Sequence, residues 1–486
     1  MSNNNEKASL GKNVIYKMIL NVFNLLVPLF VGPYIAGLLN EEMYGIYNRV
    51  YAEFQVFMII GAFGIYNYGV REISKVRHNL QRTQQVFTSL FVLGIISNFI
   101  VTVFYVIYLC VRGNGIDQYV YFTMIIQMFA NVFYIEFVNE AVENYAFITK
   151  KTILVRILYF VAIFAMVRKP TDVVIYSVVV SATVFLNNFI SFCYLKKQFR
   201  FSFENLQIRK HIMPLIISLL LVNVELLYTQ LDKIMLSPFV NDIAVTEYTI
   251  PTTLVVMVAS IPLSFISVAI PRLSSYVGKG EKEAYKETLT DTIRTYMSIM
   301  LPMVFGILVL SKEVMWLYTK DVYTYAYPVL ALAALARIIY GYESIVLNLM
   351  MYVWGFEKQM TVYLLCGGVF NIVSNIVLVY TKTFSPFSAL LTNVIACFFV
   401  IILCKRYFDK KVDMQVKFMP KAIVRYLVVS ATFIPVSVGV KMLGLGYWFN
   451  IIATMIICVI IYGVFLFVTK DKLFDTVLGV LKRKKK

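Results

Sequence analysis

Residues 14–39 read VIYKMILNVFNLLVPLFVGPYIAGLL, an apolar run interrupted by a single cation, Lys17. At about 1.5 Å per helical residue, such a run is long enough to cross a hydrocarbon layer roughly 30 Å thick. It far exceeds the apolar core of about 7–15 residues in a secretory leader, and it lacks a small-residue cleavage site. It therefore reads as a retained membrane span. Stretches of similar length and character recur from end to end. Of 486 residues, 60% are hydrophobic and only 15% are charged, against about 25% charged in ordinary soluble domains. That much apolar surface does not fit into one globular core. The solvent this chain is built for is a bilayer, and its fold class is all-α and polytopic.

Splitting the chain at Gly, Pro and charged clusters gives fourteen expected spans. The first six are 14–39, 45–69, 84–111, 118–144, 150–167 and 171–195. The other eight are 212–237, 245–271, 290–311, 323–352, 359–380, 385–404, 420–440 and 446–468. With the N-terminus placed inside, the inner segments collect most of the loop cations, including Arg71, Lys75, Arg77 and Arg82, then Lys196, Lys197 and Arg200, and the tail LKRKKK. The outer loops keep only Arg112, Arg168, Lys169, Lys312, Lys320, Lys382 and Lys441. Positive charge gathers on the cytoplasmic side of membrane proteins, so both termini are expected to be cytoplasmic. The net charge of +18 is thus a topology signal and an attraction to anionic lipid, and no nucleic-acid partner is expected.

The loops are too short for a soluble catalytic domain. There is no Walker-type phosphate loop, no H-E-x-x-H zinc motif, and only two histidines, His78 and His211. Six cysteines show no metal or redox spacing and read as packing residues. A faint repeat relates LLNEEMYGIY at 38–47 to FVNDIAVTEY at 239–248, as in transporters built from two halves.

The informative residues are the charges inside the spans, each costing about 2.5–3.5 kcal/mol at a helix centre on insertion scales. Lys17, Arg156, Arg294, Asp291 and Arg425 are expected near inner ends, where long side chains snorkel to water. Arg337 and Glu225 lie near the middle of their spans. In VNVELLYTQLDKIML, residues 222–236, Glu225, Tyr228, Thr229 and Asp232 fall at i, i+3, i+4 and i+7 and share a face bordered by Lys233. Such a stripe suits the wall of a polar cavity or a buried salt-bridge network. Arg49 and Glu53 are one turn apart and can pair. Glu136, Glu140 and Glu143 crowd one another or pair with Lys150, Lys151 and Arg156. Pro28, Gly32 and Pro33, and later Pro251, Pro262 and Pro271, are expected to kink their helices.

The chain resembles the oligosaccharide flippases of the MOP superfamily, the Wzx-like polysaccharide transporters. The resemblance rests on Gly32-Pro33-Tyr34 through Tyr44-Gly45-Ile46-Tyr47, Arg71-Glu72-Ile73 and Glu143–Thr149 (ENYAFIT). It continues in Gln230–Leu236 (QLDKIML), Ile270–Ser274 (IPRLS) and Asn371–Asn375 (NIVSN). It implies two six-helix lobes, 1–200 and 201–411, around a central cavity, with 412–486 holding helices 13 and 14 and a basic cytoplasmic tail. It also implies translocation of a polyprenyl-diphosphate-linked oligosaccharide across a bacterial cytoplasmic membrane by alternating access, for capsule, O-antigen or exopolysaccharide. Such a substrate needs cations for its phosphates and hydroxyl, amide or aromatic groups for its sugars.

On that reading Lys17, Arg49, Lys233, Arg272 and Arg337 are the candidate phosphate partners, with Glu53, Glu225, Tyr228 and Asp232 completing the expected substrate site. Glu225, Asp232, Glu343 and Glu143 are candidates for coupling to a proton or sodium gradient. No cofactor, metal or enzymatic activity is expected, and a polysaccharide polymerase and glycosyltransferases are natural partners. Rival readings are a cell-wall precursor lipid flippase or a multidrug antiporter of the same superfamily. A membrane glycan polymerase would need larger outer loops, and a membrane scaffold would not need charges at mid-depth.

Overall fold

The computed structural model describes residues 26–204 and 206–471 apart from 415, 417 and 419, together with residues 16, 20, 23 and 24; for residues 220–229 it describes the helical backbone alone. Every regular element among them is helical. In chain order the helices are α1 (Leu26–Leu38), α2 (Glu41–Ala62), α3 (Ile65–Val76), α4 (Leu80–Arg112), α5 (Ile116–Val132), α6 (Glu136–Ala141), α7 (Tyr145–Met166), α8 (Val173–Gln198) and α9 (Ile208–Phe239). They continue with α10 (Asp242–Lys279), α11 (Lys282–Val309), α12 (Ser311–Thr319), α13 (Tyr327–Ser344), α14 (Glu357–Tyr380), α15 (Pro386–Val412), α16 (Lys421–Ala431), α17 (Phe433–Met442) and α18 (Tyr447–Val468). Among the described residues, eleven helical stretches are long and apolar enough to cross a membrane. The other three expected spans fall on α1, on α7 with its Lys150, Lys151 and Arg156, and on α9 with its polar stripe.

The helix ends obey local chemistry. Asn40 caps α2, its side chain accepting from Glu42 N at 3.2 Å, and Asn79 does the same for α4 through Arg82 N at 3.0 Å. Ser385 and Ser388 form a reciprocal capping box at the start of α15. The prolines end no helix: Pro251, Pro262 and Pro271 lie inside the uninterrupted α10, and Pro214 and Pro238 inside α9. Neighbouring groups at membrane depth can re-satisfy the carbonyls that such prolines free.

Breaks occur where the sequence holds no proline. The span expected at 45–69 divides at Phe63 and Gly64, both left-handed with φ of 50° and 67°. A side chain at Gly64 would meet Leu219 N at 2.6 Å, so glycine serves both the turn and the close approach of α9. The span expected at 118–144 divides at 133–135 and again at 142–144, where Glu143 is left-handed. The first of these breaks and the one at Phe63-Gly64 border the same small cavity of ≈ 20 Å³, lined by Ala62, Ile65, Asn98, Asn131, Tyr134 and Ile135 among others. In the span at 323–352, α13 passes into a π-helical segment, Ile345–Tyr352.

The chain forms two compact units, Met1–Thr246 and Glu247–Lys486. The first has two apolar cores. One, around Val50, Phe54, Tyr105, Tyr121 and Tyr176, joins α1, α2, α4, α5, α7 and α8. The other, around Tyr68, Phe87, Phe137, Leu195 and Leu215, fills the end where α3, α6 and the start of α9 meet. In the second unit, α11 packs on α13 and α16, and α15 on α13 and α14. The last helices are pinned by charge at both ends. Arg294 Nη2 reaches Asp471 Oδ2 at 2.6 Å, and Tyr426 donates to the same oxygen at 2.5 Å. At the other end, Lys441 Nζ contacts Glu313 at 3.0 Å and the Val309 carbonyl at 2.7 Å.

Candidate functional site

The start of α2 carries the motif that first marked this region. Gly45 lies so near α10 that a side chain there would meet the carbonyl carbon and oxygen of Asp242 at 2.6 Å. Asn48 Nδ2 donates to Thr246 Oγ1 at 2.8 Å. One residue on, the buried Arg49 pairs with Asp117 at the head of α5 and, through Nε at 2.9 Å, with Asp242 at the head of α10. Both carboxylates stand in the first turn of a helix, where the backbone dipole favours negative charge, so each is held from two sides. Glu42, Arg112, Asn241 and these three side chains line an open cleft of ≈ 560 Å³.

The expected Arg49–Glu53 pair is not formed. Glu53 is turned toward α5 and accepts a hydrogen bond from Tyr121, while Arg49 finds two carboxylates on helices close in space but far along the chain. A pair within one helix offers one contact; the tertiary partners offer two, each from a half-buried aspartate.

From this end inward runs a series of tyrosines. Tyr44, Tyr47 and Tyr51 follow one another along α2, with ring centroids 6.4 Å and 5.8 Å apart. Tyr176 of α8 packs 4.6 Å from Tyr47, and Tyr159 of α7 hydrogen-bonds with Tyr176. Below them come amide and hydroxyl pairs between helices: Gln127 Nε2 to Ser181 Oγ at 3.0 Å, and Asn131 Nδ2 to Asn98 Oδ1 at 2.7 Å. Deepest in the series, the buried Lys151 Nζ contacts both Glu136 oxygens at 3.0 and 3.1 Å and Ser191 Oγ at 2.8 Å. Of the crowded carboxylates, Glu136 is thus neutralised by a buried lysine. Glu143 is exposed and pairs with Arg77 at 2.6 Å.

The remaining expected site residues fall as follows. Lys17 lies outside the described residues, as do the side chains of Glu225 and Tyr228. Asp232 is fully buried and Lys233 half-buried on the last turns of α9. In the second unit, Arg337 stacks on Tyr340 at 5.0 Å, on a helix that also holds the buried Glu343. Tyr340 donates to Asn393 Oδ1 at 2.9 Å. Beside it, Thr392 Oγ1 donates to Asn375 Oδ1 at 2.6 Å, and Asn371 and Asn375 are fully buried. These amides belong to the NIVSN motif, which carried the resemblance without being assigned a role. Arg272 is exposed at the end of α10, its Nε donating to Tyr276 Oη at 3.1 Å, beside Glu287 and Asp291 in a cleft of ≈ 260 Å³. Helix α7 begins at Tyr145, five residues before the expected span, and Arg156 stands half-buried near the middle of that helix.

Among the described residues the protein is thus helical throughout, with polar groups built into its interior. A family model described as polysaccharide biosynthesis protein matches residues 10–277, more than half of the sequence. The chain belongs to the polysaccharide biosynthesis protein family. The resemblance carried by its motifs is thereby borne out. No curated protein matches it directly by sequence.

Among solved structures, a lipid II flippase MurJ in an inward closed conformation shares the fold, with a TM-score of 0.73 over 93% of this chain and 99% of that one, at 12% identity. An inward-facing multidrug resistance MATE family transporter of the MOP superfamily matches at a TM-score of 0.58, covering 82% and 98% of the two chains at 13% identity. A MOP superfamily transporter from Pyrococcus furiosus Vc1 matches at 0.56, covering 83% and 95% at 14% identity. At these identities the likeness is one of fold, and it is the MOP transporter fold.

Proposed function

We propose that this family member is a flippase that carries a polyprenyl-diphosphate-linked oligosaccharide across a bacterial cytoplasmic membrane by alternating access, supplying surface polysaccharide synthesis. The observation that carries the reading is the family match over residues 10–277. The interior chemistry supports it: tyrosine hydroxyls, amides and arginines lie along helices that would otherwise be wholly apolar. A diphosphate and several sugars cannot enter hydrocarbon bare, and these are the groups that replace their water.

The proposed architecture has fourteen spans with both termini cytoplasmic, in lobes 1–200 and 201–411 with 412–486 appended. In this reading Lys233, Arg272 and Arg337 meet phosphate during the cycle, with Lys17 and Arg49 as further partners. Asp232 and Glu343 are the buried carboxylates best suited to exchange a proton or sodium ion with a gradient.

The test is transport in proteoliposomes. Purified protein is reconstituted with fluorescent undecaprenyl-diphosphate-linked oligosaccharide, and arrival in the opposite leaflet is followed with a membrane-impermeant quencher. Protein-dependent arrival is expected. Movement of a peptide-bearing cell-wall precursor but not of the simple glycan would place the chain with precursor flippases. Expulsion of cationic dyes with no lipid movement would make it an antiporter.

A further inference from the structure

The connection between α8 and α9 is short, basic and aromatic. Residues 196–210 read KKQFRFSFENLQIRK, five cations against one carboxylate, Glu204. Lys196, Lys197, Arg200, Arg209 and Lys210 are all exposed. The chain leaves α8 extended at Phe199, with φ −121° and ψ 133°, and is then tied down. Ser202 N donates to Thr88 Oγ1 of α4 at 3.0 Å. The Phe201 ring packs 5.4 Å from Phe87 and 5.0 Å from Phe91, and Phe91 stacks on Phe192 of α8 at 5.7 Å. The rings form a ladder leading outward from the apolar core at this end of the unit. Its last rung is Phe203, 6.3 Å beyond Phe201.

Phe203 is 68% exposed. A single apolar side chain on a surface asks for no partner, but this one is not isolated. The backbone is pinned at the preceding residue, which holds the ring at the surface. Leu80, 59% exposed at the head of α4, falls at 100° per residue on the same face of that helix as Phe87 and Phe91. Exposed cations flank the ring on both sides along the chain. Helix α8 is long and apolar enough to cross a membrane, so the residues that follow Gln198 emerge beside a leaflet. An aromatic ring among cations at that place suits the headgroup layer, where the ring enters the acyl boundary and the cations meet phosphate. The charge decides between occupants: five cations with one carboxylate complement an anionic lipid surface, not the mixed charge of an ordinary protein face.

We propose that Lys196, Lys197, Arg200 and Phe203 form a binding surface for anionic phospholipid, on the leaflet that the proposed topology sets at the cytoplasm. The Phe203 ring sits among the acyl chains and the three cations sit on headgroup phosphates. The contact fastens the α8–α9 connection to the bilayer, whatever cargo the protein carries.

The experiment is lipid binding to the full chain in detergent micelles, titrated with phosphatidylglycerol or phosphatidylcholine and read by native mass spectrometry. It compares the parent with Phe203→Ser, with Lys196→Gln/Lys197→Gln/Arg200→Gln, and with Lys410→Gln/Lys411→Gln, two exposed cations at the end of α15. A basic residue near an anionic leaflet contributes about fivefold. The triple variant is therefore expected to lose at least tenfold in affinity for phosphatidylglycerol and little for phosphatidylcholine. Phe203→Ser should weaken both lipids by a similar factor and leave the preference in place. Lys410→Gln/Lys411→Gln should keep the parent's preference. An equal loss in that control would mean diffuse attraction to the whole basic face, and the site would fall. Parent-like binding by both Phe203→Ser and the triple variant would overturn it as well. So would concentration-dependent pairing of the parent, abolished by Phe203→Ser, with no lipid preference, since the surface would then join two copies of the chain. Should the triple variant not fold, Phe203→Ser decides, and unchanged binding by it overturns the site.

Discussion

The Nε of Arg49 lies 2.9 Å from Oδ1 of Asp242, tying the third turn of α2 to the first residue of α10. Asp242 also accepts from Ser237 Oγ at 2.5 Å, across the turn between α9 and α10. Asp117 closes the other side of the guanidinium. Three stretches distant in sequence therefore meet on one buried cation, which makes Arg49 a keystone for this end of the first unit.

Removing that cation leaves two carboxylates without their partner. Breaking a buried pair by deleting one member costs about 3–5 kcal/mol. Arg49→Ala should lower the detergent melting temperature markedly. Adding Asp117→Asn and Asp242→Asn to it should restore a large part of the loss. A melting curve for each variant checks this, and additive losses would show that the pairs contribute little.

Gly45 tests the same junction without charge. Gly45→Ala would push a methyl into the backbone of Asp242, where nothing flexible can yield, and overpacking of this sort costs about 1–3 kcal/mol or more. Gly439, inside α17, has nothing within 4 Å of a built Cβ. Gly439→Ala should be neutral or slightly stabilising, as expected for alanine in a helix. Melting temperature and yield of folded protein distinguish the two.

Lys151 and Glu136 should behave as a unit. Lys151→Met strands the carboxylate of Glu136 beside Ser191 and should be strongly destabilising. Lys151→Met with Glu136→Gln should approach the parent, because a neutral polar pair removes the buried charge. A double-mutant cycle on thermal stability measures the coupling, expected at about 1.5–3 kcal/mol.

Asp471 should govern the docking of the last helices. Asp471→Asn keeps the shape but weakens the contacts from Arg294 and Tyr426. Hydrogen exchange should accelerate in Lys421–Ala431 and Tyr447–Val468 and stay unchanged in α4 and α8. Uniform acceleration would mean that the clamp serves global stability instead.

Apolar runs and the placement of cations made the membrane class and the order of the spans legible from residues alone. What the sequence concealed was tertiary. The nearest opposite charge to Arg49 along the helix is Glu53, yet packing brought Asp117 and Asp242 closer. Prolines advertise breaks, yet neighbouring groups can make good the carbonyls that prolines free in lipid. The real breaks came at Phe63-Gly64 and at 133–135, where no residue is forbidden in a helix. The start of α7 was hidden too, because it lies within ENYAFIT, a polar stretch that hydropathy assigns to a loop.

The two interruptions at Phe63-Gly64 and 133–135 share one cavity wall, and the segments beyond them are fastened to each other. The ring of Phe137 lies where a side chain at Gly69 would be, and Arg77 grips Glu143. Segments α3 and α6 are thus bolted to each other across two breaks in the chain, and both are seated on one apolar core with α4, α8 and α9. Two spans that part from their own upper halves are rejoined sideways, so this end of the unit is held by its cross-links and not by the continuity of its helices.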